Sequence, residues 1–253
     1  MSKYIIFPLM IVSLLASAHA AAQESEMLLF QDKEEGLDPY LTRIIVTPTQ
    51  IRFDDGENSK SYTLYDRATH IARTVDTRER TVLELHPKQV KVEPPFALKF
   101  RVKELGELKD APKIMGKTPK HYQDYTNDKL CFDVITVEGL MPQAVKALTE
   151  FRELLASDSK VTFNNMPADL QDPCTIAMDT FAPTRYLQHG FPIQEWHPGY
   201  SRTLVNYDEH FKPDPKLFEI PQGYFTFTVE QIRNGDVDMD KRKIRDQQSA
   251  KSG

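Results

Sequence analysis

The sequence predicts an α+β fold, an antiparallel β-sheet with one apolar face covered by one main amphipathic helix. Three observations predict it. Between residues 40 and 86, short runs alternate apolar with polar residues and are separated by Asp-, Gly-, Pro- and Asn-rich turns, with strand centres about ten residues apart. Residues 140–157 carry apolar side chains at three- and four-residue steps, the spacing of a helix with one buried stripe. A sheet with a single apolar face must bury it, and this helix is the one clear cover the chain offers.

The elements follow in order. Residues 1–20 read as a secretory signal peptide: Lys3 precedes an apolar core over residues 5–15, and Ala18-His19-Ala20 gives a small-x-small cleavage site after Ala20. The apolar run is too short to span a bilayer and Pro8 interrupts it, so no transmembrane segment remains after signal cleavage. Residues 21–233 are long enough for a single domain with a substantial core. Residues 234–253 are polar and charged and predict a disordered tail. Residues 27–30 suggest an edge strand ahead of an acidic stretch.

Strands are expected at 41–46, 51–53, 61–65, 70–75 and 81–85. Period-2 alternation places Ile44, Val46, Ile51, Phe53, Tyr62, Leu64, Ile71, Val75, Leu83 and Leu85 on one face. Arg43, Arg52, Asp54, Thr63, Thr74 and Glu84 take the other, wet face, although Ile45 and Val82 break the rule and leave that face not uniformly polar. After Pro87, Pro94 and Pro95, residues 97–102 resume the pattern with Leu98, Phe100 and Val102 inward. Residues 104–120 read as a surface loop, and 121–125 with 130–137 as a hairpin. In the helix, Pro142 suits the first turn, and Ala144, Val145, Leu148, Phe151, Leu154 and Leu155 form the stripe. Further strands are expected at 174–181, 191–196, 201–207, 217–220 and 224–229.

The chain of 253 residues has a formal net charge of −5, which gives no electrostatic reason to seek nucleic acid. The charge is uneven. Residues 86–121 hold nine Lys/Arg against four Asp/Glu, either as a solvated strand-and-loop region or as a patch for anionic head groups or an acidic partner. Cys131 and Cys174 are the only cysteines. In an exported chain they predict one disulfide, since a metal pair would need histidines at ligand spacing and a redox couple a C-x-x-C motif.

Chemistry-bearing motifs are missing. Gly199-Tyr200-Ser201-Arg202-Thr203 departs from the nucleophile elbow at its last position. Zinc-protease, P-loop and dinucleotide fingerprints do not occur, and Asp236-Val237-Asp238-Met239-Asp240 lacks the glycine and glutamate of a calcium loop. His189 and His197 lie eight apart around residues 191–196 without a partner pattern. The sequence thus predicts no enzyme, no cofactor and no metal site.

Arg43-Ile44-Ile45-Val46-Thr47, Ile51-Arg52-Phe53-Asp54 and Leu64-Tyr65-Asp66-Arg67 resemble a group of uncharacterised exported proteins of Gram-negative bacteria. So do the cysteines flanking the helix, Gly190-Phe191-Pro192-Ile193 and the run from Leu217 to Tyr224. More distantly, the pattern is similar to the half-barrel superfamily of the periplasmic lipoprotein carrier and its outer-membrane receptor (LolA/LolB-like). The carrier's Arg-Trp dipeptide has its nearest counterpart in Arg52-Phe53. The resemblance implies a periplasmic location and a curved, half-barrel sheet around an apolar cavity that takes acyl chains. The lining is then expected from Ile44, Val46, Ile51, Phe53, Leu64, Ile71, Leu83, Leu85, Leu98 and Phe100, with a lipid or other hydrophobic ligand between sheet and helix. The alternative is a non-enzymatic interaction subunit of a cell-envelope assembly, with a packed core and an envelope protein as partner.

Overall fold

The computed structural model describes residues 25–163, 167 and 171–238. The signal peptide read in residues 1–20 and the part of the tail beyond 238 lie outside the described residues. The expected class is present as a large open sheet and one main helix. Twelve strands pair in the order β12-β6-β5-β4-β3-β2-β1-β11-β10-β9-β8-β7. They are β1 (Ser25–Glu34), β2 (Tyr40–Val46), β3 (Gln50–Asp54), β4 (Ser61–Asp66), β5 (Ile71–Asp76), β6 (Thr81–Leu85), β7 (Phe100–Glu107), β8 (Lys120–Thr126), β9 (Lys129–Val137), β10 (Phe191–His197), β11 (Tyr200–Phe211) and β12 (Phe225–Thr228). Neighbours are antiparallel except β12, which runs parallel to β6.

The five-strand meander stands as the sequence expects. Residues 27–30, however, belong to a ten-residue strand at the sheet's centre, between β2 and β11, and not to an edge. The inward positions of β1 are Glu26, Leu28, Phe30 and Asp32, all buried. Two of the four are carboxylates, so apolar alternation shows only the middle of the strand.

The main helix, α1 (Pro142–Phe163), is longer than the apolar stripe suggested. It has no acidic residue in its own first turn, and β1 supplies one: the Ala144 N–H donates to Glu26 Oε2 at 2.6 Å. Arg67 grips Glu150 through Nε and Nη2 at 2.7 and 3.0 Å, fixing the helix against the turn after β4. Ala144 and Ala147 let the helix approach closely, and with Leu148 they meet Leu28, Ile44, Val46 and Ile51 in the main core. Phe53 packs against Phe151 with the rings tilted by 32° and their centroids 4.5 Å apart. Each fully buried Ile or Leu contributes about 1.5–3 kcal/mol.

The expected single apolar face is corrected by register. Ile51 pairs with Tyr65, Phe53 with Thr63, and Tyr65 with Ala72, so Thr63, Tyr65, Ala72 and Leu85 share the helix face. Tyr62, Leu64, Ile71 and Val75 therefore point to the opposite face, and Thr63 and Thr74 do not. That opposite face is also covered. Phe218 and Tyr224 pack on Tyr62, Leu64, Val75 and Val82. Asp54 is held there by Arg43 at 2.8 and 2.9 Å and by Arg52, whose guanidinium lies 3.9 Å over the Tyr62 ring. Where both faces are buried, alternation no longer separates inside from outside.

Further corrections concern the chain after the helix. Residues 174–181 form helices, not a strand: α2 (Pro173–Ile176) runs into a π-helical turn, Ala177–Phe181. Asp172 caps the Cys174 and Thr175 N–H groups, and Pro173 takes the first position, where a missing N–H costs nothing. The chain then forms a 3₁₀ turn, Arg185–His189, before entering β10. Residues 217–220 are no strand either; a 3₁₀ turn, Pro215–Phe218, capped by Asp214, opens that segment. Part of the expected 104–120 loop belongs to β7, and Leu98 lies in the connection before that strand. After β12 comes a short helix, α3 (Val229–Arg233), with a Thr228/Gln231 capping box. Cys131 and Cys174 form the expected disulfide, which ties α2 to β9. Among the described residues no helix is long and apolar enough to cross a membrane.

Candidate functional site

Pairing across adjacent strands places Glu195 (β10) beside Arg202 (β11), Arg202 beside Asp32 (β1), and Asp32 beside Tyr40 (β2). The strands are about 4.8 Å apart, so Glu195 and Asp32 stand about 10 Å apart with Arg202 between them. The row lies on the helix-covered face, continuing the line of Leu28 and Phe30 along β1. The sequence folds charged residues inward here because each is answered by a neighbour on the next strand.

Asp32 is wholly inaccessible. Arg202 donates to both its oxygens, Nε to Oδ1 at 2.6 Å and Nη2 to Oδ2 at 3.1 Å, and the Tyr200 hydroxyl donates to Oδ1 at 2.6 Å. Thr42 completes the set through its hydroxyl. Burial pushes the Asp32 carboxyl up, but the Arg202 hydrogen bonds and charge, with Thr42 and Tyr200, outweigh it and hold the group below its ordinary 3.8. Asp32 thus positions Arg202. Glu195 differs: burial raises its carboxyl above the ordinary 4.5, only partly offset by the charges of Arg202 and Arg152. Two carboxyls on one row are driven in opposite directions, one a committed acceptor and the other a group that keeps its proton to higher pH.

Walls rise around this floor. His197 stacks on Tyr200 with centroids 4.6 Å apart, and Phe132 stacks on Tyr186 at 4.5 Å. Burial holds His197 below its usual range and pushes Tyr186 up to about 12. Arg152 reaches in from α1, its Nε buried without a hydrogen-bond partner among the described residues. Although Arg202 sits in the middle of a twelve-stranded sheet beneath the 173–189 segment, 24% of its side chain remains accessible. Tyr186, His197, Ile193 and Leu204 are likewise only half-buried. The covered face is therefore tightly packed under α1, whereas over β10 and β11 its side chains keep partial access to solvent.

The roof is latched. His189 Nε2 meets Asp124 Oδ1 at 3.0 Å, its ring stacks on Tyr122 at 4.4 Å, and its carbonyl accepts from Thr136 Oγ1 at 2.8 Å. Gly190, at φ +115°, follows immediately, where a Cβ would lie 2.9 Å from the Val137 carbonyl. A cleft of about 430 Å³ opens beside this latch, between Tyr122, Gly139, Pro142 and His189. Among the described residues no group of His, Cys, Asp and Glu is arranged to hold a metal ion.

The structure disperses the lining read from the sequence. Ile44, Val46 and Ile51 are fully buried against α1, with Phe53 and Leu85 packed at the margin of that core. Leu83 lies on the same face by register, while Leu64 and Ile71 lie on the opposite one. Leu98 is in a connection and Phe100 is 46% exposed on β7. The row itself was missed. Its signal was an acidic residue at the inward position of an otherwise apolar strand, as in Leu28-x-Phe30-x-Asp32 and Ile193-x-Glu195-x-His197.

No family model and no curated protein matches the chain. Among solved structures it is similar to an uncharacterised conserved protein from Thermus thermophilus, at TM-score 0.42 and 8% identity over 81% of this chain and 91% of that one. It is also similar to PNGF-II (TM-score 0.38, 9% identity, 84% of this chain and 32% of that one) and to MucB (0.38, 7%, 82% and 61%). The chain thus spans about a third of the PNGF-II chain and under two thirds of MucB. At TM-scores below 0.5 these likenesses assign the chain to no family.

Proposed function

We propose that this protein is a non-enzymatic binding protein of the bacterial periplasm whose half-barrel sheet holds an amphiphilic ligand such as a lipid. It would bind over β10 and β11, where Arg202, Tyr186, Ile193 and Leu204 keep partial access to solvent. Its apolar part would lie on Ile193, Leu204 and Tyr186, and its polar end would meet Glu195, Arg202 and Arg152. The observation that carries this reading is the partly accessible Arg202 in the middle of a covered sheet face. Charge is costly to bury unless it is paired; Arg202 already pairs with Asp32, but Arg152 Nε is buried without a hydrogen-bond partner among the described residues, and a ligand's polar end would supply one. Aromatic walls beside half-buried aliphatic side chains supply the apolar contact such a site needs. The expected ligand therefore sits beside the α1 core, and Ile44, Val46 and Ile51 support its floor from the neighbouring strands.

The test is extraction of the protein, purified in its native state from the exporting cell, followed by mass spectrometry of what unfolding releases. About one amphiphile per chain is expected, and less from a Tyr186→Ala variant. A ligand-free protein, together with an interior shown to be filled by side chains, would refute the reading.

A further inference from the structure

The sheet ends differently on its two sides. On one side β12 is only four residues long, and α3 follows it directly and packs back on β6 and β12. On the other, β7 is eight residues long, pairs only with β8 among the described residues, and is exposed at seven of its eight positions. Unpaired backbone along a strand of that length is a template for another strand, and proteins ordinarily cover or shorten it. Here it is held ready instead. Arg101 stacks on Tyr125 at 3.8 Å, Arg185 lies 4.4 Å over the Phe100 ring, and the Lys99 N–H donates to Asn127 Oδ1 at 2.8 Å.

We infer that β7 is a docking edge that accepts an extended, acidic segment of another protein as an additional antiparallel strand. Its two faces set the chemistry of the occupant. Phe100 and Val102, 46% and 47% exposed, share one face, while Arg101 and Lys103 share the other. Residues opposite one another across an antiparallel pair share a face, so the incoming strand needs apolar side chains opposite Phe100 and Val102 and carboxylates opposite Arg101 and Lys103. The bulge between Glu104 and Gly106 limits the pairing to the first half of the strand.

A second copy does not fit. In a symmetric pairing centred on Val102, Arg101 of each copy faces Lys103 of the other, and a shift to either side sets Arg101 or Lys103 against its own counterpart. The chain's own ends do not fit either, since residues 239–253 hold five Lys/Arg against two Asp, and residues 1–24 one Lys and one Glu. Lys103 thus works as a selective guard, repelling the edge of another copy and admitting an acidic strand. Because the edge is already ordered, binding loses little conformational freedom on this side. This inference is independent of the ligand proposed above.

The experiment uses the full exported chain and a fluorescent synthetic peptide, Thr-Val-Glu-Val-Glu-Val-Thr, against a counterpart with Lys in place of Glu. Saturable binding of the acidic peptide is expected, at least tenfold tighter than that of the basic one, with the amides of residues 100–104 protected from hydrogen exchange. Lys103→Glu, which leaves the Arg101–Tyr125 contact in place, should erase the preference. Arg101→Glu with Lys103→Glu should reverse it. Absence of saturable binding, equal binding of the two peptides, protection elsewhere than on β7, or indifference to Lys103→Glu would each overturn the inference.

Discussion

Replacing Arg202 by methionine keeps much of the side chain's length and removes its charge. In the native protein Asp32 is fully buried and receives two of its hydrogen bonds from Arg202, the others coming from the Tyr200 and Thr42 hydroxyls. Without the guanidinium the carboxylate is left buried and uncompensated. Breaking a buried pair by removing one partner costs about 3–5 kcal/mol. Arg202 keeps a quarter of its side chain accessible, so the cost belongs near about 3 kcal/mol. Asp32→Asn alone should cost less, because the Arg202 charge it leaves behind sits on a side chain that keeps 24% of its surface accessible. The pH dependence fixes the sign. Asp32 titrates below its unfolded 3.8 in the native state, so its contribution is present above that pH and lost as pH falls through the native value. The gap between wild type and Arg202→Met should therefore be widest near neutrality and narrow as pH drops toward and below 3.8. Urea unfolding at a series of pH values measures it. With a slope of about 2–3 kcal/mol/M, the midpoint should fall by about 1–1.5 M at pH 7. A loss under about 1 kcal/mol at pH 7, or a gap that widens on acidification, would refute the reasoning.

Three further outcomes follow from the same contacts. Glu195 titrates above its unfolded 4.5, so it lowers native stability progressively as pH rises from 4.5 through the native value, by about 1.4 kcal/mol per unit of elevation. Glu195→Gln should accordingly be more stable than wild type at pH 7.5 and lose that advantage at pH 4, as compared by urea unfolding. Removing both cysteines opens a loop with a sequence separation of 43, which should cost about 4 kcal/mol and speed hydrogen exchange across residues 173–189. Ile51→Ala and Leu64→Ala should each cost about 2–5 kcal/mol in thermal or urea unfolding, although the two side chains lie on opposite faces of the sheet.

The meander, α1 and the disulfide were legible because each has a simple signal: turn residues, helical spacing and the presence of just two cysteines. Leu64 and Ile71 were assigned to the wrong face because register is decided by the loops around β4, and because Phe218 and Tyr224, more than 130 residues away, bury the face expected to be wet. Residues 174–181 read as a strand on composition, yet Asp172 and Pro173 start a helix there. The site was illegible for a different reason. Asp32, Glu195 and Arg202 look like ordinary solvated charges until strands far apart in sequence are laid side by side, and nothing in their spacing announces that they share a row.

Binding of an amphiphile over Glu195 and Arg202, as proposed, is open to a spectroscopic test. Trp196, the only tryptophan, sits one residue from Glu195 on the outer side of β10 and serves as a built-in energy donor. The assay is titration of the protein with a dansyl-labelled fatty acid, read by energy transfer from Trp196. Saturable transfer at one label per chain is expected, competed by unlabelled amphiphile, weakened by Tyr186→Ala and unchanged by Leu64→Ala. Transfer that never saturates, or that survives Tyr186→Ala and disappears in a folded Leu64→Ala variant, would contradict it.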